Sequence, residues 1–367
     1  MQKKIIALAV AGLMSGAAFA QTNVTLSGNV DLGYYKQSIQ TGTVMDTGDF
    51  RSNGSSTSTL TIAVTEDLGG GMKAGFVGST DWAPGGNASV FLNSQNFLSL
   101  SGNFGEVRFG NINTAALSAS SASQPFGTAI GSGYSGAFAR LSRTTTNGTG
   151  TIVAEGEVAT ATAAASGARS VRLNQSGMYI SPNFNGFRAS YQHVFRNSDA
   201  AVAAGGQQTG VQALGLSYNA GPLNVNYAHE VLKNGPVAAP AGGIALLLGA
   251  NEKVTHNLLG ANYKFGPATV YGGYTTSKSS VAATANSRSW NIAGKYDFTG
   301  NIAGMINYVK VNDKLVGNQD RKLLGLGLDY GMSKRTTAYA RYERGDNDKA
   351  AATGDFNRYQ IGLRHSF

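Results

Sequence analysis

Along most of the chain, apolar and polar residues alternate one by one. At the C-terminus Tyr359, Ile361, Leu363, His365 and Phe367 fall on one face, and Arg358, Gln360, Gly362, Arg364 and Ser366 on the other. Successive side chains of a strand point to opposite faces, so this period of two predicts a β-strand with one apolar side. Near the start, Val24, Leu26, Val30 and Leu32 oppose Thr25, Ser27, Asn29 and Asp31. Trp290, Ile292, Tyr296 and Phe298 likewise oppose Ser289, Asn291, Lys295 and Asp297. Sixteen such segments are predicted: 23–36, 55–67, 71–82, 91–102, 105–113, 169–181, 185–196, 210–220, 222–233, 252–265, 267–279, 286–298, 300–312, 319–331, 335–346 and 355–367. Each is long enough for a tilted strand to cross a bilayer, which takes about 9–11 residues.

The connections between these segments alternate in length. Seven are tight: Asp67-Leu68-Gly69-Gly70, Gly102-Asn103-Phe104-Gly105, Pro182-Asn183-Phe184, Asn219-Ala220-Gly221-Pro222, Phe265-Gly266-Pro267, Phe298-Thr299-Gly300 and Gly331-Met332-Ser333. Gly and Asn supply positive φ there and Pro presets φ. The other eight are longer and polar. Short turns on one rim and long loops on the other is the plan of an outer-membrane barrel, with the short turns in the periplasm. An even strand number puts both termini on the short-turn side. Aromatic residues at that end (Tyr179, Tyr218, Phe265, Phe298, Tyr330, Phe367) suit a lipid–water boundary. The expected fold class is therefore all-β: a transmembrane, sixteen-stranded antiparallel barrel. A cylinder of that size is too wide for side chains to fill, so its lumen is expected to be wet.

Composition supports an exported barrel. Lys3 and Lys4, the apolar run Ile5 to Met14 and Ala18-Phe19-Ala20 form a three-part secretory signal, so 1–20 is expected to be cleaved and 21–367 to form the barrel. There is no cysteine, which excludes disulfides and thiol chemistry. Charged residues make up 13%, against about 25% in ordinary soluble domains. The formal charge is +9; without Lys3 and Lys4, 27 basic residues face 20 acidic ones, or +7. That balance fits an anionic surface or equally a lumen favouring anions, and because the chain is exported no nucleic-acid partner is expected.

The ordered motifs resemble one family. They are Asn23-Val24-Thr25-Leu26-Ser27-Gly28-Asn29-Val30-Asp31, Thr65-Glu66-Asp67-Leu68-Gly69-Gly70-Gly71-Met72-Lys73-Ala74, Leu98-Ser99-Leu100-Ser101-Gly102-Asn103-Phe104-Gly105-Glu106-Val107-Arg108, Tyr179-Ile180-Ser181-Pro182-Asn183-Phe184-Asn185-Gly186-Phe187, Ser333-Lys334-Arg335-Thr336 and Ile361-Gly362-Leu363-Arg364-His365-Ser366-Phe367. Together they span the mature chain and resemble the general porins of β-proteobacteria, the Neisseria, Burkholderia and Comamonas type. The resemblance implies a homotrimer passing small hydrophilic solutes and ions across the outer membrane. It also implies contact with lipid and lipopolysaccharide, and a C-terminal Phe367 read by the barrel-assembly machinery.

One connection stands apart. Asn113 to Ala168 is 56 residues, longer than any other, and connections far beyond 12–15 residues are usually functional or disordered. The resemblance makes it the third extracellular loop, folded into the lumen, with Gln124-Pro125-Phe126-Gly127 similar to the family's Pro-x-Gly turn. Arg140, Arg143, Arg169, Arg172, Glu155 and Glu157 lie in or beside it. Arg172 matches the arginine before the family's Asn-Ser-Val-x-Tyr stretch, which makes it the first constriction candidate. A charge in a narrow, low-dielectric passage selects ions more strongly than one on an open surface.

The second strand departs from the family pattern Ser-Arg-Leu-Gly-Phe-Lys-Gly. Here Ser58-Thr59-Leu60-Thr61-Ile62-Ala63-Val64 stands in its place, so Thr59 and Ala63 make two inward basic positions neutral. The start of the fourth strand, often arginine-bearing in the family, has Ser94 and Gln95. The expectation is a weakly anion-preferring or nearly unselective pore. Asp31, Lys73, Arg188, Arg196, Lys264, Lys295, Arg341, Glu343, Arg358 and Arg364 are expected to face the lumen, mostly as ordinary solvated charges.

Catalytic signals are weak. Gly131-Ser132-Gly133-Tyr134-Ser135-Gly136 has dinucleotide spelling but no strand–turn–helix context. Asp346-Asn347-Asp348 lacks the remainder of a calcium loop. His193, His229, His256 and His365 are scattered, with no His-x-x-x-His pair. No cofactor, metal or enzymatic activity is expected. The alternatives are a substrate-specific outer-membrane channel and, further off, a barrel enzyme such as an outer-membrane lipase.

Overall fold

The computed structural model describes residues 23–41, 43–84, 91–133, 172–194, 210–233, 253–280, 286–313, 320–347 and 355–367. Segment 1–20 lies outside them, as do Arg140, Arg143, Glu155, Glu157, Arg169 and Arg196. The strands are β1 (Asn23–Thr41), β2 (Thr43–Arg51), β3 (Thr59–Gly69), β4 (Met72–Asp81), β5 (Asn96–Gly102), β6 (Gly105–Asn113), β7 (Arg172–Ile180), β8 (Phe187–Val194) and β9 (Gly210–Ala220). They continue as β10 (Leu223–Lys233), β11 (Lys253–Phe265), β12 (Ala268–Ser279), β13 (Ser287–Thr299), β14 (Ile302–Asp313), β15 (Arg321–Gly331), β16 (Thr336–Asn347) and β17 (Phe356–Ser366). Among the described residues one helix, α1 (Ala115–Ser123), follows β6.

Every neighbour pairs antiparallel, and β1 closes the sheet against β17 from Asn29↔Ser366 to Ile39↔Phe356. The seam is locked at its foot: Gly28 N–H donates to the Phe367 carbonyl at 3.2 Å, and Phe367 N–H to the Gly28 carbonyl at 3.0 Å. β2 and β3 both pair with β1, β2 with Gly33–Thr41 and β3 with Asn23–Asn29. They are two lengths of one barrel strand, so the cylinder has sixteen staves.

Two expectations need correction here. The second stave does not begin at 55: it starts at Thr43, straight after β1, and the first long connection is absent. Gly48 and the run of Thr and Asp around it carry no apolar alternation, so nothing in the pattern marks β2 as a strand. The tight turn predicted at Pro182-Asn183-Phe184 sits at Asn185-Gly186, with φ of 52° and 95°. Phe184 and Phe187 exchange both backbone hydrogen bonds across it, at 2.9 and 3.1 Å. Two successive positive φ angles match the twist of the flanking strands, and Asn-Gly tolerates them best.

Directly paired residues share a face, so the ladders carry one assignment around the wall. The outward face is exposed and apolar: Leu26, Leu98, Phe109, Leu214, Leu259, Ile292, Ile306, Leu328 and Ile361 are all on it. At the short-turn end it ends in Tyr218, Phe265, Phe298 and Tyr330, all exposed. Exposed apolar area on this scale needs a non-aqueous surround, and a closed ladder leaves no unpaired backbone for that surround to meet.

The prediction is directional. Leu326→Arg, at the middle of β15 and facing out, should cost about 2–4 kcal/mol of folding free energy in lipid vesicles. Ser217→Arg, facing in, should cost on the order of 0.5 kcal/mol or less. Equilibrium urea unfolding in vesicles measures both, and equal costs would contradict the facing assignment.

Candidate functional site

The inward wall carries a lane of small residues. Gly215 on β9, Ala228 on β10, Gly260 on β11, Gly273 on β12, and Gly325 and Gly327 on β15 lie on the lumen side. Residues 114–133, the first part of the long connection, lie along that lane. A Cβ on Gly260 would overlap the Ala119 carbonyl. One on Gly273 would stand 2.7 Å from Ser123 Cβ, and one on Gly327 at 2.7 Å from the Phe126 ring. A Cβ on Gly325 would overlap the Gly131 backbone. Ala116 and Ala119 of α1 bury against Ala228 and Leu258.

Thr114 caps α1, its hydroxyl accepting from Leu117 N–H at 3.4 Å. The helix ends at Gln124, whose side chain turns the chain around Pro125: Oε1 accepts from Phe126 N–H and Nε2 donates to the Gly127 carbonyl, both at 2.6 Å. Gly127 has φ +61°, which a β-carbon would strain.

Three inward asparagines then hold the segment by its carbonyls. Asn262 Nδ2 donates to Ala122 O at 3.0 Å and Asn291 Nδ2 to Ser123 O at 2.6 Å. Asn307 Nδ2 reaches Gly131 O at 3.0 Å and Ser132 O at 2.9 Å. Glu343 accepts the Gly131 N–H at 2.8 Å. Sequence reasoning did not single out these asparagines. The available signal was asparagine, a poor strand former, on the inward parity of three strands.

A second inward element was also unforeseen. Residues 52–58, between β2 and β3, cover the inner faces of β1, β16 and β17. Ser55 and Ser56 N–H both donate to Asp31 Oδ2 at 2.7 Å, and the Tyr339 hydroxyl donates to Oδ1 at 2.5 Å. Gln360 donates to the Arg51 carbonyl at 2.7 Å, and Arg364 to Ser55 Oγ at 3.2 Å. Thr57 and Thr128 hydroxyls meet at 3.3 Å, joining this segment to the long connection.

Arg341 stands where the two elements meet. It donates to Ser55 Oγ at 3.0 Å and to Asp329 at 2.7 Å, with its guanidinium 5.8 Å from the centre of the Phe126 ring. The expectation of solvated lumen charges is corrected at four positions: Asp31, Arg341, Glu343 and Arg358 are 0%, 4%, 3% and 6% exposed. The two inward elements cover them, and burial so deep holds only because each charge is hydrogen-bonded or paired. Arg358, for instance, donates to Gln37 at 2.8 Å and sits 3.6 Å from Glu343.

The remaining candidates are spread around the wall. Thr59 pairs with Asn29 and Ala63 with Thr25, which puts both on the lumen face. Arg172 sits at the long-loop rim, 2.8 Å from Asp81, and donates to Asn113 at 3.0 Å. Arg108 pairs with Glu106 at 2.8 Å, and Lys295 with Asp297 at 3.1 Å. Arg188, Lys73 and Lys264 are exposed near the short-turn end, and among the described residues none makes an ion pair. The structure therefore does not gather the candidates into one cluster. It distributes them along the inner wall: the Arg108–Glu106 and Lys295–Asp297 pairs share the short-turn end with Arg188, Lys264 and Lys73, and Asp67 stands directly across the ladder from Lys73.

Comparison with known proteins agrees with this architecture. A family model described as Gram-negative porin matches residues 7–350. Outer membrane porin protein 32 of Delftia acidovorans is 29% identical, with the alignment covering all of both chains. Major outer membrane protein P.IB of Neisseria meningitidis is 25% identical over the full length of each. Among solved structures, the anion-selective porin from Comamonas acidovorans superposes with a TM-score of 0.74 at 24% identity, covering 95% of this chain and 100% of that one. OmpT of Vibrio cholerae gives 0.66 at 14% identity, covering 94% and 98%. The chain belongs to the Gram-negative porin family, the channel-forming β-barrels of the outer membrane.

Proposed function

We propose that the protein is a homotrimeric, non-enzymatic general diffusion porin with a weak preference for anions. One observation carries the reading: most of the lumen's basic groups are matched by carboxylates, while Arg188 and Lys264 at the periplasmic mouth make no ion pair among the described residues. The pairs Arg108–Glu106, Lys295–Asp297, Arg341–Asp329 and Arg358–Glu343 largely cancel. Arg188 and Lys264 add positive potential where solutes enter or leave, and Lys73 joins them opposite Asp67. The anion selectivity named for the Comamonas relative fits the same sign.

Residues 114–133 and 52–58 narrow the lumen from one side, leaving the passage against β3–β8. Thr59, Ala63, Arg188 and the Arg172–Asp81 pair line that passage. Arg140, Arg143, Arg169, Glu155 and Glu157, outside the described residues, stay constriction candidates on their place in the long connection. Segment 1–20 is the export signal and Phe367, beside the seam at Gly28, is the end read by the assembly machinery. The outer wall meets lipid, with lipopolysaccharide around the long-loop rim.

Planar-bilayer conductance tests the function directly: the purified protein should open in steps of three equal increments. An electrically silent membrane would refute a pore, and single steps would refute the trimer. In a salt gradient the reversal potential should carry the sign of anion preference. The combined variant Lys73→Gln, Arg188→Gln, Lys264→Gln should bring it close to zero. The preference should also fade as salt rises toward 1 M, where the screening length falls from about 10 Å to about 3 Å.

Two further substitutions test the constriction. Gly325→Val should push residues 131–133 off the wall and raise single-pore conductance, with the barrel still closed by its unheated gel mobility. Asp31→Ala leaves the Ser55 and Ser56 amides without their acceptor, a loss of about 1–3 kcal/mol per buried donor. Conductance should rise and become noisier as 52–58 comes loose. Unchanged conductance in both would remove these segments from the constriction.

A further inference from the structure

Four arginines on the inner wall lie over aromatic rings. The guanidinium carbon is 4.2 Å from the ring centre for Arg51 over Tyr35, 4.8 Å for Arg108 over Phe97, 5.4 Å for Arg341 over Tyr339 and 4.2 Å for Arg358 over Phe356. Arg341 and Arg358 are buried, and Arg51 stands where the 52–58 segment begins. Arg108 belongs to the wall of β4–β8, and among the described residues no inward segment lies over that wall. Its side chain is 26% exposed, so a solute in the lumen can touch it.

Arg108 is held flat from two directions. The Phe97 ring supports one face of the guanidinium. Glu106, two residues away on the same face of β6, takes one edge: Nε donates to Oε1 and Nη2 to Oε2, each at 2.8 Å. A bidentate pair fixes the plane of the fork as well as its position. Phe97 is itself buried, packed with Ile112, Met178, Val77 and Ile180. Ring and guanidinium therefore form a stack, anchored below in an apolar cluster and open above to the lumen. Its flanks leave room: Arg108 shares a lateral row with Gly75, Ser99 and Met178. Gly75 and Ser99 add little bulk on one side, and Met178 adds an apolar edge on the other. Because Glu106 cancels the charge, Arg108 is a weak attractor for anions. What stays available is the flat, weakly hydrated face of the guanidinium, a surface that stacks on π systems.

We propose that the Phe97–Arg108 stack is a subsite for planar, uncharged aromatic solutes, which it retains briefly on their way through the pore. The proposal rests on reading the lumen as the passage, and adds a solute class favoured on grounds other than charge. A flat ring laid on the guanidinium extends the stack, with the cation between two π faces. A saturated ring of similar size offers no such face and gains only apolar contact.

The test is block of ion current through the full-length protein in planar bilayers. The probes are benzamide and cyclohexanecarboxamide, which share the amide and differ in the ring. Benzamide should reduce the current at concentrations about threefold lower. Arg108→Lys keeps a cation beside Glu106 and removes the flat face, and the two amides should then act at the same concentration. Phe97→Leu removes the supporting ring and should narrow the gap. In 1 M salt the wild-type gap should persist, because the paired site has no net charge to screen. Unheated gel mobility reports closure of each variant, and where one fails to close the salt measurement on wild-type protein decides in its place. Equal action of the two amides on the wild-type pore, stronger action of the saturated one, a gap undiminished in Arg108→Lys, or a gap lost in 1 M salt overturns the proposal. Conductance without solute is recorded first, so a silent membrane counts against the pore, and equal block of an open one against the stack.

Discussion

The structure depends on one constraint: a peptide group in hydrocarbon has no water to bond, so each must bond another peptide group. For a sheet the solution is closure, and closure here joins residues at opposite ends of the chain. β1 pairs with β17 on one side and with β2 and β3 on the other. Until that seam forms, an open sheet of this length would carry two unpaired edges and an apolar outer face, a state prone to pairing with other chains. The hydrogen bonds between Gly28 and Phe367 finish the seam at the last residue of the chain. The wet interior, the outward apolar belt and the inward loops all presuppose this closed ladder.

Inside the cylinder a different economy holds, because water is present and polar groups have choices. The long connection is held on the wall by contacts that side chains would spoil. Glycines provide space at Gly260, Gly273 and Gly325, and asparagines provide donors at Asn262, Asn291 and Asn307. Segment 52–58 is held differently, by two backbone amides converging on Asp31. Thr57 and Thr128 join the two, and Arg341 lies under the joint. Among the described residues, inward segments cover the lumen wall along β1 and β9–β17, and none covers the wall along β4–β8.

Much of this was legible in the sequence. Alternation at Tyr359–Phe367 and Ser289–Phe298 marked strands because one face meets lipid and the other water, and that contrast is written residue by residue. β2 was not legible, since Thr43–Arg51 lacks the contrast. The inward fold of 52–58 was not legible either: Ser, Asn and Gly there look like any loop, and only tertiary contact with Asp31 gives them a place. The burial of Arg341 and Glu343 was missed for the same reason, because parity shows which way a side chain points but not what lies over it.

The glycine lane has a consequence for how such a protein changes over generations. The loop's seat is made of positions that contribute no apolar contact to the lipid-facing surface and sit beside an intact hydrogen-bond ladder. Exchanging Gly325 or Asn307 for another residue alters the bore while leaving the shell's lipid contacts and peptide pairing untouched. Aperture and container are thus separately heritable, and lineages facing new nutrients or toxins can retune one without remaking the other.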